Sequence, residues 1–405
     1  MKKFLLMLGA VALFTACSDD GGSGSGNINY EEGYKYLTNL NVSDAKMIYQ
    51  KSSATRATGD DSYYKLDLSG NEVKLSIKGE DGQDHNIGIH KVLKLSDKVL
   101  LVNPIAQDII DLFYKPGPDG EGISVGWGST EYLSIVDVQT EKIYRWPKEI
   151  DVYLGDGSLK TILDNQGNIY YKGYLKGEQV LKLSPETMTI EALLPDDIRF
   201  DNFSVTGDGF VVYWKGNEQQ FNCRVKCPGG KIYPITDTYT FIFSGDLYSV
   251  RDNTIIKYET VGINDLEEKI ICTIPYDNTY WKFIPNYVRN TVVINGNLEF
   301  DGEQCVKLDK YVNIGNIRTS KAWYILNNTM FSKTAMKDYQ ESQFQVSEYE
   351  IQSLSASSES PNIAFTGFRY SDGVNVVGTI TETDEVVIDN VAENGNKIIN
   401  LISLN

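Results

Sequence analysis

The fold of this chain is decided by LDNQGNIYYKGYLKGEQVLKLSPETMTIEAL, residues 163–193. This stretch contains a glycine-bearing turn at 164–168, an apolar run at 169–174, a short polar connection, a second run at 178–183, and a third run at 189–193. Short apolar runs between turn residues are typical of strands. The stretch is therefore predicted to fold as one small antiparallel sheet.

The same order of turns and strands recurs along the chain. Downstream copies begin at Thr206, Ser244, Asn295 and Asn327, and upstream copies are YYKLDLSGNEVKLSI (63–77) and LSDKVLLVNP (95–104) with YLSIVDVQTEKIYRW (132–146). No helical pattern of apolar residues persists for long, so the class is all-β. A repeat of about 35 to 45 residues with about four short strands is typical of a β-propeller blade. The sequence predicts a single β-propeller.

Eight segments fit this repeat: 45–78, 89–149, 158–194, 203–236, 239–275, 281–317, 321–354 and 362–405. Eight blades are therefore expected, with seven blades as the alternative and a two-domain sandwich as the competing architecture. The last segment offers four strand-like runs, IAFTGFRYS, NVVGTIT, EVVIDN and KIINLISLN. Because such rings often lock their termini, one of these runs is expected to join the first blade.

The best-preserved turn and strand resemble the NHL and SMP-30-like propeller repeats. The matching residues are Asp164, Gly167, Asn168, Ile169 and Tyr170. The resemblance implies a propeller fold. SMP-30-like lactonases hold a divalent metal through Glu, Asn and Asp, but no residue here matches those ligands one by one, so the resemblance assigns neither a metal site nor a catalytic residue.

The amino terminus is typical of a secretory signal. Lys2 and Lys3 precede a predominantly apolar stretch, 4–16, which is too short to span a bilayer as a helix. Phe14-Thr15-Ala16-Cys17 resembles the lipobox of bacterial lipoproteins, which implies removal of residues 1–16 and acylation of Cys17.

Three residues after that cysteine predict where the protein is displayed. Ser18-Asp19-Asp20 resembles the export tag of Bacteroidota surface lipoproteins, which implies the outer face of the outer membrane. Residues 17–33, with GGSGSG at 21–26, are expected to form a flexible tether, and residues 34–405 the propeller. Contact with the membrane is expected through the lipid anchor alone.

Charge and residue counts exclude several function classes. The net charge of −17 argues against nucleic acid as a partner. With only His85 and His90 in the chain, neither a zinc site nor a histidine-based catalytic site is expected. Calcium is the one cation considered, at Asp196-Asp197 or in PGPDGEG (116–122), where plain turns are the alternative.

Four cysteines remain after the lipobox: Cys223, Cys227, Cys272 and Cys305. If the first two share a strand they lie about 13 Å apart, beyond the reach of a disulfide. The other pairings stay open, as does the alternative of buried free thiols.

Aromatic residues are the feature best suited to a ligand. Trp127 stands between glycines and Trp281 beside tyrosines, and the residues predicted to bind sugar rings are Trp127, Tyr132, Tyr280 and Trp281. Trp146, Trp214 and Trp323 fall within strand-like runs and are predicted to pack between blades. The sequence therefore favours a surface glycan- or nutrient-binding accessory. The alternatives are a non-catalytic scaffold of an outer-membrane complex and a propeller hydrolase, lyase or lactonase.

Overall fold

The computed structural model describes residues 37–52, 62–84, 87–106, 133–147, 150, 161–196, 198–215, 223–237, 239–275, 281–357, 359–392 and 396–404. In these ranges the regular structure is entirely β, without a helix. Eight four-stranded antiparallel sheets form an eight-bladed β-propeller. The prediction of an all-β propeller with eight blades is confirmed, and the seven-bladed alternative is wrong.

The strands are numbered in chain order. The first half contains β1 (Asn39–Leu40), β2 (Ala45–Ser52), β3 (Ser62–Asp67), β4 (Glu72–Lys74), β5 (Ile77–Lys78), β6 (Ile87–Ser96), β7 (Val99–Ala106), β8 (Ser134–Asp137), β9 (Ile143–Arg145), β10 (Ile162–Leu163), β11 (Ile169–Tyr174), β12 (Glu178–Ser184), β13 (Thr189–Ala192), β14 (Asn202–Val205), β15 (Val211–Trp214), β16 (Cys223–Lys226) and β17 (Ile232–Ile235). The second half contains β18 (Tyr239–Phe243), β19 (Asp246–Arg251), β20 (Thr254–Val261), β21 (Asp265–Thr273), β22 (Phe283–Asn286), β23 (Thr291–Ile294), β24 (Leu298–Phe300), β25 (Cys305–Lys307), β26 (Ile317–Arg318), β27 (Ala322–Asn327), β28 (Met330–Ala335), β29 (Glu341–Gln345), β30 (Tyr349–Ala356), β31 (Ile363–Arg369), β32 (Val374–Ile380), β33 (Val386–Val391) and β34 (Lys397–Ser403).

Blades two to eight each use four consecutive strands in sequence order: β6–β9, β10–β13, β14–β17, β18–β21, β22–β25, β26–β29 and β30–β33. Blade one has the order β34-β2-β3-β4, and β1 pairs with β5 in a separate two-stranded sheet. First strands of neighbouring blades contact each other, as β10 does with β14 and β34 with β6. First strands therefore lie toward the axis, and the largely exposed fourth strands, such as β4 and β29, form the outer edges.

Residues 163–193 fold as part of blade three because their turn supplies its own hydrogen bonds. The Asp164 carboxylate accepts backbone N–H bonds from Gln166 and Asn168 and a 2.9 Å bond from the Tyr170 hydroxyl. Gly167 has a φ of +79°, a conformation that glycine adopts without steric cost. The turn thereby aligns β10 with β11.

Both faces of the inner strands are apolar because a blade lies on each side. Ile169 and Tyr171 pack in a cluster with blade two, whereas Tyr170 packs in a cluster with blade four. In the described residues, eight apolar clusters occupy the eight interfaces between neighbouring blades. The eighth cluster joins blade eight to blade one, so the hydrophobic core is itself a closed ring.

Pairing between β34 and β2 closes this ring. β34 pairs with β2, with Met47 opposite Ser403 and Ser52 opposite Lys397. The expectation that a run of the last segment joins the first blade is confirmed, and the run is KIINLISLN.

The predicted bounds of the last two blades are wrong. Blade seven is β26–β29 and blade eight is β30–β33, whereas the predicted segments were 321–354 and 362–405. The physical reason is that β30, placed in the seventh segment by its position in the chain, pairs with β31 instead of with β29. Moving the last run into blade one leaves blade eight needing that earlier strand.

Candidate functional site

Only one of the four aromatic residues predicted to bind a ligand falls in the part of the chain that the structure describes. Trp127, Tyr132 and Tyr280 lie outside the described residues. Trp281 is only 6% exposed and packs in the cluster between blades five and six, with its ring stacked on Phe283 at 6.3 Å. The Trp281 ring therefore leaves little surface for a ligand in this conformation.

The other three tryptophans pack as predicted. Trp146, Trp214 and Trp323 are all buried, each in an inter-blade cluster. The indole N–H of Trp146 donates to the carbonyl oxygen of Ile150 over 2.7 Å, and Trp323 stacks on Tyr339 at 6.3 Å. These contacts confirm that the three rings pack between blades.

A hollow of about 530 Å³ lies on blade six, next to Trp281 in the chain. Its walls come from the start of β22, the turn between β23 and β24, and the connection from β25 to β26. The polar residues of the wall are Lys282, Asn295, Asn297, Tyr311 and Asn313, and the apolar ones are Ile284, Val293, Val312 and Ile314. We call this the blade-six hollow.

The turn between β23 and β24 builds one wall of the hollow. Asn295 and Gly296 have φ values of +50° and +75°, the positive values that the two central residues of a type I′ turn adopt. Asn295 is tied to the start of β22, because its Oδ1 accepts the Lys282 N–H over 2.7 Å and its own N–H donates to the Lys282 carbonyl. This pair of bonds holds the turn in place beside Lys282.

Tyr311 forms the rim of the hollow and is 68% exposed. Its ring lies against Gly296 so closely that a Cβ at position 296 would come within 2.7 Å of Cε2. The next residue, Val312, is fully buried between blades six and seven, and its N–H donates to the Gly296 carbonyl over 2.6 Å. The connection is thus pinned at Val312, while the Tyr311 ring stands at the surface.

The chemistry of the hollow suits an uncharged or anionic polar ligand. Side-chain amides supply both donors and acceptors, and Asn313 and the Lys282 ammonium are exposed. The Tyr311 ring adds a flat apolar surface with a polar edge. A ligand that combines hydroxyl groups with an apolar face matches this set.

Two buried carboxylates elsewhere in the ring have structural partners. Glu299 accepts hydrogen bonds from Arg289 Nε at 2.7 Å, Thr291 Oγ1 at 2.7 Å and the Tyr339 hydroxyl at 2.7 Å. Burial by itself would raise the pKa of Glu299, but these hydrogen bonds outweigh it and the pKa is lowered. Glu299 therefore stays ionised and joins blades six and seven.

Asp237, in the connection from blade four to blade five, is held in the same way by residues of blade five. Its carboxylate accepts bonds from Arg251 Nε at 2.6 Å and the Tyr258 hydroxyl at 2.5 Å, and the Ser249 hydroxyl also donates to it. Burial opposes ionisation, but the hydrogen bonds from these partners lower the pKa of Asp237. A carboxylate held ionised in this way is a poor general acid.

The described residues contain no group of three or more His, Cys, Asp or Glu side chains placed to hold a metal ion. His90 and Asp196 lie on the surface. His85, Asp197 and residues 116–122 lie outside the described ranges. In the same part of the chain, the structure has no helix with the length and apolar character needed to cross a membrane.

Sequence reasoning missed the blade-six hollow. The Asn295-Gly296 pair was recognised as the start of a repeat copy, and an Asn-Gly pair between apolar runs is a strong hairpin signal. Nothing local indicated that Tyr311, fifteen positions later, would cover this turn, because the contact is made by the connection between two blades.

Comparisons with known proteins find distant structural likenesses. No family model matches the chain, and no curated protein matches it. The chain is similar to the solved structure of virginiamycin B lyase from Staphylococcus aureus, at 13% identity over 59% of this chain and 86% of that chain, with a TM-score of 0.35. It is also similar to AztD from Citrobacter koseri, at 10% identity over 90% and 98%, with a TM-score of 0.43.

A third similar structure is PorZ, a surface component of the type-IX secretion system of Porphyromonas gingivalis. The identity is 13%, the shares covered are 76% of this chain and 39% of PorZ, and the TM-score is 0.35. All three likenesses are distant and assign no role to this chain. The chain is an eight-bladed β-propeller, and its family is not shown by these relatives.

Proposed function

We propose that this protein is a surface-anchored lipoprotein that binds a glycan, or a related polyhydroxylated nutrient, without transforming it. The observation that carries the proposal is the exposed Tyr311 ring, held against Gly296 at the rim of a polar hollow. Sugar rings have an apolar face that stacks on an aromatic ring, and their hydroxyls pair with amide groups. At about 530 Å³, the hollow has the size of a small-molecule site.

The segments outside the described residues complete the proposal. Cys17 is the proposed lipidation site, residues 17–33 the tether, and the outer face of the outer membrane the location. Trp127, Tyr132 and Tyr280 remain proposed ligand contacts. No cofactor is required for binding, and calcium stays an optional addition.

Calorimetry with the full chain in mild detergent tests the binding proposal. A panel of neutral and acidic polysaccharides should yield at least one ligand, and product analysis should show no cleavage. Tyr311→Ala should weaken binding about tenfold, equivalent to about 1.4 kcal/mol. Tyr370→Ala is the matched control, because Tyr370 is also exposed, at 55%, and follows the second strand of blade eight.

Three results would count against this function. Absence of binding to every polysaccharide would remove it, and equal affinities for the wild type and Tyr311→Ala would remove the blade-six hollow as its site. Release of shortened sugars would favour the hydrolase or lyase alternative instead.

The proposed location has its own test. Cys17→Ala should move the protein from the membrane fraction to the soluble fraction, because acyl chains supply the only proposed anchor. Protease added to intact cells should degrade the wild-type protein. Membrane association that persists in the variant would contradict lipidation, and full protease resistance would contradict surface display.

The scaffold alternative also has a structural observation in its favour. The β20–β21 hairpin of blade five exposes Ile263 at 66% and Ile270 at 74%, and β21 is a sheet edge. Exposed apolar side chains on an edge strand suit protein contact. Copurification of a stoichiometric partner that is lost in Ile263→Lys and Ile270→Lys would support this role over glycan binding.

A further inference from the structure

Two cysteines from neighbouring blades face each other at the outer edge of the ring. Cys272 lies on β21, the fourth strand of blade five, and Cys305 lies on β25, the fourth strand of blade six. Their sulfur atoms are 3.4 Å apart, and both residues are half-buried. Both side chains pack against the apolar cluster between these two blades.

A bulge in β21 places Cys272 on this side of the sheet. Ile255 pairs with Cys272, whereas the next residue, Ile256, pairs with Ile270, so Ile271 is an extra residue. Ile255 packs toward blade six, and a directly opposite residue shares its face. The bulge therefore aims the Cys272 thiol at blade six.

Strand pairing within blade six directs the Cys305 thiol toward blade five. Cys305 lies opposite Phe300, which is fully buried in the same cluster between blades five and six. Each cysteine thus shares a face with a core residue at this interface. The short distance between the sulfurs follows from the registers of two sheets and does not depend on a loop.

We propose that Cys272 and Cys305 form a disulfide that joins the outer strands of blades five and six. The Cys272 thiolate attacks a small disulfide such as oxidised glutathione, releasing one thiol of the oxidant. The Cys305 thiolate then displaces the second thiol and closes the protein S–S bond. Two protein thiols are oxidised, one external disulfide is reduced to two thiols, and the two protons leave with those thiols.

The environments of the two sulfurs favour this order of attack. A hydrogen bond with Cys305 lowers the pKa of Cys272, whereas the same hydrogen bond and burial raise the pKa of Cys305. The thiol with the lower pKa is the better initial nucleophile near neutral pH. The small movement needed to bring the sulfurs from 3.4 Å to bonding distance lies within side-chain rotation.

The other two described cysteines differ from this pair in burial, in the direction of the pKa shift relative to Cys272 and in their contacts. Cys223 and Cys227 are fully buried, and burial raises the pKa of both thiols. Cys223 contacts the Thr240 hydroxyl at 3.3 Å, and Cys227 donates to the Asn264 carbonyl at 3.5 Å. They therefore serve as unoxidised controls within the same chain.

The disulfide would close a loop from Cys272 to Cys305. This loop contains the first three strands of blade six, β22–β24, and the turn at Gly296. It would fasten the outer edges of two blades whose inner parts are already packed together. This inference is independent of the glycan proposal and requires only that the chain reach an oxidising compartment.

Peptide mapping of the full chain in detergent tests the proposal without any variant. The folded protein is reduced, then incubated with oxidised glutathione, alkylated after denaturation and digested without reductant. We expect a linked peptide pair containing Cys272 and Cys305, with Cys223 and Cys227 alkylated. Separate alkylation of Cys272 and Cys305, or linkage of either to another cysteine, would overturn the proposal.

Thermal unfolding gives a second readout. Oxidation should raise the Tm by about 4 °C, since the bond closes a loop between residues 33 positions apart. In Cys272→Ser and Cys305→Ser the same oxidant should leave the Tm unchanged. A rise of equal size in both variants would assign the effect to other residues and contradict the inference.

Discussion

Asn400 donates a hydrogen bond from Nδ2 to Oε1 of Gln50 over 2.7 Å, joining residues 350 positions apart. The bond lies where β34 pairs with β2, at a shift of register between Ile48 and Gln50. Asn400 adopts a φ of +52° there. The first and last described strands of the propeller are thus fastened by a specific contact as well as by backbone pairing.

Removal of residues 397–405 should abolish the cooperative folding of the whole ring. Ile398, Ile402 and Leu404 are buried, and they belong to the clusters on both sides of blade one. Loss of these buried side chains should lower the free energy of unfolding by about 5 to 8 kcal/mol, which is comparable with the stability of a typical domain. Calorimetry should show no sharp transition at the wild-type Tm. Two separate transitions, or an unchanged Tm, would contradict closure by this strand.

Asn400→Ala should destabilise the protein by about 2 kcal/mol, combining a lost hydrogen bond with the steric cost of a left-handed backbone. Asn400→Gly loses the hydrogen bond but keeps the backbone conformation, so it should cost less. Urea unfolding of the three proteins compares these energies. An alanine variant at least as stable as the glycine variant would show that the φ of +52° carries no strain.

Gly296→Ala should both destabilise blade six and weaken ligand binding. The new Cβ would lie 2.7 Å from the Tyr311 ring in a backbone conformation with φ +75°, so the ring must leave its present position at the rim. A cost of about 2 kcal/mol is expected. Gly70→Ala is the control, because Gly70 has φ +85° with nothing near its Cβ position. Equal urea midpoints for the two variants would contradict the close contact with Tyr311.

Glu299 should stabilise the ring at neutral pH and lose this effect in acid. Its pKa in the folded protein is lowered, so its contribution is present above the unfolded-state pKa of about 4.3 and is lost as the pH falls through the folded-state pKa. Glu299→Gln should cost about 2 kcal/mol at pH 7, since Arg289, Thr291 and Tyr339 lose a charged acceptor. The difference from wild type should shrink below pH 4.

Urea unfolding at pH 7 and pH 3 measures this dependence. Glu350→Gln serves as the control, because Glu350 is an exposed carboxylate on β30. A gap between wild type and Glu299→Gln that is equally large at both pH values would assign the effect to packing and not to charge.

Most of the architecture could be predicted because its signals are local. Turns such as Asp164 to Asn168 carry their own hydrogen bonds, and their spacing along the chain gives the number of blades. The predicted bounds of the last two blades were wrong because β30 resembles a final strand of blade seven as well as a first strand of blade eight. Only pairing with β31, a non-local choice, distinguishes the two.

By itself, the sequence determined the all-β class and the eight repeats, since strand alternation and turn residues are properties of neighbouring positions. It also predicted that one run of the last segment joins the first blade, and the structure decided which one. Tertiary structure alone decided which side chains face solvent and which meet across blades. It buried Trp281, left Tyr311 at the surface and brought Cys272 within 3.4 Å of Cys305. These outcomes depend on a bulge in one strand, on the contact of the Tyr311 ring with a distant glycine turn and on the contact between separate sheets. Residues adjacent in the chain do not determine any of these relationships.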